Sequence, residues 1–142
     1  MYKRQAYQGT FVGTEQALNS RGQITGSYAD ANSVNHGYVR RANGTYQEFD
    51  APNAGTQSTA GTVASSLNVM GTAVGIVYDS SFQAHGFVRT SAGAMILADA
   101  PGKGNLGTFP HAVNSWNLFA GFYADPAGNS HGFIAQIGAP DF

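Results

Sequence analysis

The chain has 142 residues, 42% of them hydrophobic, which suffices for one domain around one buried core and argues against a second. Only 11% are charged, nineteen residues are glycine and the formal net charge is -1, so neither long salt-bridged helices nor an electrostatic grip on nucleic acid or anionic lipid is expected. No apolar run approaches the roughly twenty residues of a membrane span, no apolar stretch follows Met1-Tyr2-Lys3-Arg4 as a secretory signal requires, and the absence of cysteine excludes a disulfide framework and thiolate chemistry.

The composition is that of an all-β chain, and the first strands are expected near residues 14–19, 23–29, 36–42 and 45–51. Ser20-Arg21-Gly22, the stretch from Asp30 to Asn35, and Asn43-Gly44 separate them as turns. The same order of signals then recurs. His36-Gly37-Tyr38-Val39 is answered by His85-Gly86-Phe87-Val88 and His131-Gly132-Phe133-Ile134, at spacings of 49 and 46. Gly26, Gly75 and Gly121 stand ten residues before each histidine, and Asp30, Asp79 and Asp125 stand four after each glycine. Leu18-Asn19, Leu67-Asn68 and Val113-Asn114 agree upstream, as do Gly13-Thr14, Gly61-Thr62 and Gly107-Thr108. Downstream, Phe49-Asp50-Ala51-Pro52 matches Ala98-Asp99-Ala100-Pro101. A single domain of three four-stranded repeats, about 8–52, 53–101 and 102–142, accounts for this pattern.

Counting on from His131 as from His85 brings Phe142 level with Ile96, and counting back from Gly107-Thr108 to Gly13-Thr14 brings Tyr2 level with the same residue. A strand at residues 2–7 is therefore expected to complete the third repeat, as a latch does in a closed ring. In the second strand of each repeat, Ile24, Gly26 and Tyr28 share one face with Ala73, Gly75 and Val77 and with Phe119, Gly121 and Tyr123; Val74, Ile76 and Tyr78 lie on the other. Both faces are mostly apolar, which predicts strands packed between sheets. The mid-strand glycine predicts close backbone approach.

Leu18-Asn19, the spaced Gly26, Tyr28 and Asp30, His85-Gly86-Phe87 and Phe49-Asp50-Ala51-Pro52 resemble the HAF-type repeat of bacterial extracellular proteins. Asn117, in place of a turn glycine, and Ile137-Gly138-Ala139 depart from it. The resemblance implies a secreted or cell-surface location and a propeller-like arrangement; it carries no catalytic residues. A four-stranded repeat of about 46 residues is the size of a propeller blade, and three blades are too few to close a ring. A homodimer of six blades is the leading expectation and a β-trefoil the alternative, against which stand the small-residue second strand and the absence of a Gln-x-Trp signature.

The candidate ligand-binding residues follow from the repeat. Asp30, Asp79 and Asp125 are each expected to accept turn amides, with a sugar-hydroxyl or cation site beside the histidine as the functional reading. His36, His85 and His131 are expected to give a ring proton to a backbone carbonyl; convergence on an axis as a three-histidine metal site is the sharper, weaker reading. Arg40 and Arg89 follow the His-Gly-aromatic strand and suit either a solvated rim or an acidic ligand. Nine Phe, seven Tyr and one Trp exceed what a small core must bury, so Tyr28, Tyr78, Tyr123 and Trp116 are candidate platforms for sugar rings. Repeated carboxylates have equivalent environments, which disfavours an acid/base pair. No Gly-x-Ser-x-Gly elbow occurs, Gly102-Lys103-Gly104 reads as a turn, and His111 has no counterpart. No cofactor and no metal are expected. The leading function is a non-catalytic, lectin-like module for surface glycans, the rival a scaffold or filament protein without a small ligand.

Overall fold

The structure, a computed structural model, describes residues 15–138. It is all-β: among these residues there is no helix, hence none long and apolar enough to cross a membrane. The strands are β1 (Glu15–Leu18), β2 (Ile24–Ala29), β3 (Asn35–Arg40), β4 (Tyr46–Phe49), β5 (Gly61–Leu67), β6 (Ala73–Tyr78), β7 (Ala84–Arg89), β8 (Met95–Leu97), β9 (Gly107–Val113), β10 (Leu118–Ala124) and β11 (Ser130–Gln136). Of the expected first four strands, β1, β2 and β4 fall within their spans and are shorter by one to three residues, while β3 begins one residue before its expected start and ends two before its expected end. The strand expected at residues 2–7 lies outside the described residues.

Nine strands follow one curled, mixed sheet in the order β1-β2-β3-β5-β6-β7-β9-β10-β11, a half-barrel, with β4 paired to β3 and β8 to β7 off that path. Neighbouring strands pair antiparallel except at two junctions. There β3 meets β5 and β7 meets β9 in parallel through single residue pairs, Asn35 with Gly61 and Ala84 with Gly107.

Turn chemistry explains why the strands stop where they do. The Asn19 carboxamide oxygen accepts the amides of Arg21 and Gln23; Asn68 does so for Met70 and Thr72, and Asn114 for Trp116 and Leu118. Gly22 and Gly71 take a left-handed conformation within the first two of these turns, and Asn117 takes it in the third at φ 58°. Asparagine tolerates that region better than most side chains, so the departure from glycine at position 117 keeps the turn. At the opposite end of the strands, Asp30, Asp79 and Asp125 make the corresponding turns.

Two of the three mid-strand glycines are required by backbone contact; at Gly26 a Cβ would meet the Tyr38 ring and hydroxyl instead. Gly75 faces the β5 backbone where a bulge between Ala64 and Ser66 bends it, and a Cβ there would strike the Val63 carbonyl. Gly121 meets the Phe109 carbonyl in the same way, opposite an irregularity in the β9–β10 register. Two cores result. Val39, Phe49 and Ala51 pack with Ala64, Val77 and Phe87 across the first junction, and Val74 and Val88 pack with Phe119 and Phe133 across the second. Phe49 meets Phe87 edge-on, with ring centres 5.9 Å apart.

Candidate functional site

Asp30, Asp79 and Asp125 end β2, β6 and β10, and each uses its two oxygens differently. One oxygen accepts the turn amides, those of Asn32 and Val34 in the first case, as the Asx-turn expectation has it. The other faces the histidine six residues on, because the antiparallel register sets Tyr28 opposite His36, Val77 opposite His85 and Tyr123 opposite His131. His36 Nε2 lies 3.6 Å from Asp30, His85 Nε2 3.3 Å from Asp79, and His131 Nε2 2.9 Å from Asp125.

The other imidazole nitrogen corrects the expectation of a bond to a backbone carbonyl. His36 Nδ1 stands 2.8 Å from Asp50 Oδ1, and His85 Nδ1 2.7 Å from Asp99 Oδ2. Pairing of β3 with β4 brings Gly37 level with Phe49, so the residue after Phe49 arrives beside the histidine. Carboxylates therefore flank both ring nitrogens and set the plane of each ring. Asp50 and Asp99 belong to the site. Their signal in the sequence was the repeated Asp-Ala-Pro segment, whose distance from the histidine only the hairpin register closes. Lys103, which reads as part of a turn, also reaches in: Nζ is 3.4 Å from both Asp99 Oδ2 and His85 Nδ1.

All three turn aspartates are held below the usual carboxylate range. For Asp125 the largest cause is the His131 hydrogen bond, followed by the Asn129 amide. For Asp30 it is the Val34 amide. At Asp79 burial pushes upward, and the Gln83 and Ser81 amides together with His85 outweigh it. The Tyr28 hydroxyl is raised, by burial first and then by the negative charges of Asp50 and Asp30.

Aromatic rings complete two of the clusters. Tyr28 leans on His36 at 5.4 Å between centres, and Tyr123 stacks on His131 at 5.1 Å. Tyr78 does not belong with them. It lies one residue beyond Val77, the true counterpart of Tyr28 and Tyr123, and so projects from the opposite face of β6. Beside the third cluster runs an open groove of about 410 Å³, lined by Lys103, Gly104, Asn105 and Leu106 on one side and by the segment Asp125 to Gly128 on the other.

Other candidates lie elsewhere. Arg40 and Arg89 end β3 and β7, four residues past the histidines, or about 13 Å along a strand. Arg89 is buried, with its guanidinium 4.9 Å above the Phe49 ring, so it is a packing element across the first junction and no part of a solvated rim. Trp116 sits exposed in the β9–β10 turn, at the Arg end of the strands and away from the His–Asp clusters. His111 lies within β9 and stacks with Phe122, which in turn stacks on Phe109 at 4.7 Å. No group of three or more His, Cys, Asp or Glu among the described residues is arranged to hold a metal ion.

No protein-family model matches the chain, and comparison with curated proteins and with solved structures finds no match.

Proposed function

We propose that the protein is a non-catalytic, lectin-like module that binds extracellular or surface glycans through repeated sites. The observation that carries this reading is the groove between Lys103 and Asp125, which opens at the same strand ends as the Tyr123–His131 stack. A sugar offers an apolar ring face to an aromatic pair and hydroxyls to charged and amide groups, and this edge supplies both. The Tyr28, His36, Asp30 and Asp50 cluster supplies them a second time. Binding of this kind is weak per site and gains strength from multivalency. The recurrence of a His–Asp pair at equivalent positions in three strand sets favours repeated recognition over one asymmetric catalytic pair.

The finer architecture belongs to the same proposal: three four-stranded repeats of HAF type in a propeller-like arrangement, six in a homodimer, at the cell surface or outside the cell. Junctions of one residue pair between full antiparallel ladders support separable blades over a β-trefoil. A glycan array followed by titration calorimetry tests the ligand reading. Weak binding that His131→Ala and Tyr123→Ala reduce is the expected result; no binding across broad glycan classes at roughly millimolar ligand would sink it. The scaffold reading has one observation in its favour, the apolar surface left open on β10 and β11, where Phe122 and Ile134 are exposed.

A further inference from the structure

We infer that the open face of β10 and β11 docks head to tail on the β1 end of a second copy, repeating a junction that the chain makes twice within itself. The inference rests on and deepens the homodimer reading above, and stands without glycan binding.

Residues at equivalent positions have unequal surroundings. Val39 and Val88 are 5% and 1% exposed because β5–β8 and β9–β11 cover them, whereas their counterpart Ile134 is 76% exposed. Thr25 and Val74 are buried, and their counterpart Ala120 lines a shallow apolar depression with Ile134 and Leu118. Ser27 and Ile76 are buried, while their counterpart Phe122 is exposed. The other end of the sheet shows the complementary deficit. Leu67, which sits at the first junction, is 5% exposed; Leu18, its counterpart on β1, is 71% exposed. Among the described residues, one end thus lacks what covers Val39 and Val88, and the other lacks what covers Leu67.

Hydrogen bonds give the junction a direction. The Asn19 carboxamide donates to the Asn68 carbonyl at 2.9 Å, and the Asn68 carboxamide donates to the Asn114 carbonyl at 2.8 Å. Asn114, which is exposed, makes the same turn with its side-chain oxygen, and in the inferred junction its NH2 group is the next donor. The Asn19 carbonyl, held by Gly22 as Asn68 is by Gly71, is the matching acceptor. A donor at one end and an acceptor at the other make a heterologous interface, which closes a ring or propagates a chain according to its rotation. A second copy is the one occupant that supplies Leu18 and the Asn19 carbonyl together.

Light scattering on the 142-residue chain at about 100 µM tests this. The expected mass is twice 14.8 kDa or a higher multiple, and Ile134→Glu and Leu18→Glu should each lower it to 14.8 kDa with an unchanged β circular-dichroism spectrum. Mixing the two variants should restore a one-to-one complex, because one good junction survives in the mixture. As a check independent of those substitutions, Asn19→Cys with Asn114→Cys should give disulfide-linked chains, while Asn19→Cys with Asn68→Cys links within one chain. A 14.8 kDa wild type, unchanged mass in both variants, no complex on mixing, or no cross-link between chains would each overturn the inference.

Discussion

The side-chain amide of Asn19 donates to the main-chain carbonyl of Asn68 at 2.9 Å, across 49 residues of chain. Asn68 is buried, caps its own turn through two amides and passes the pattern on to Asn114 and Asn117. Asn68→Ala strands these groups and should lower stability by about 2–4 kcal/mol. That corresponds to a melting temperature roughly 6–12 °C lower. Asn19→Ala, at the more open end, should cost about half as much. Equal losses in the two variants would argue against a burial-dependent role.

Gly75 and Gly132 should respond oppositely to alanine. A Cβ at Gly75 would meet the Val63 carbonyl, Ala64 Cα at 2.8 Å and the Phe87 ring at 2.8 Å, all in the packed interior. Gly75→Ala is expected to cost about 3 kcal/mol or more, enough to reduce soluble yield. At Gly132 the nearest atom is 4.0 Å away, so Gly132→Ala should stay within about 1 kcal/mol of wild type. Chemical denaturation of both variants is the check.

Arg89 separates charge from packing. Burial, then repulsion from Arg41, lowers its pKa; the guanidinium lies over Phe49, and Nε has no partner among the described residues. Arg89→Met keeps the side-chain bulk and removes a buried charge that has no ion-pair partner among the described residues, so its stability should lie within about 1 kcal/mol of wild type or above it. Arg89→Ala should lose about 2–3 kcal/mol through the cavity it leaves. Thermal melts that place methionine as low as alanine would show that the cation–ring contact dominates.

Asp125 predicts an acid-sensitive step. Its folded-state pKa is lowered from 3.8, chiefly by His131, so the stability it contributes is complete above that value and is lost as the pH falls below it through the depressed folded value. Asp125→Asn retains an acceptor for the turn amides and loses the carboxylate facing His131. Wild type should therefore be the more stable at about pH 7, and the gap should narrow as the pH drops from about 4 toward 2. Urea midpoints across that range measure it; a constant gap would contradict the assignment.

The strands and their turns were legible in the order of residues because the causes are local. Period-two alternation forms β2, β6 and β10, and an Asn or Asp accepting amides two and four residues on stops a strand whatever surrounds it. The repeated glycine announced close approach for the same reason: a missing Cβ is a property of the residue itself. Partners and burial were not legible. The carboxylate beside His85 Nδ1 comes from fourteen residues away through the β7–β8 hairpin, and Tyr78 fell out of the site by one position of strand parity. Arg89 became an interior residue because Phe49 of an earlier strand lies beneath it. Val39, Val88 and Ile134 are nearly the same side chain in the same local pattern, yet only the last is open. Exposure there depends on whether another strand set follows in space, which tertiary packing alone decides.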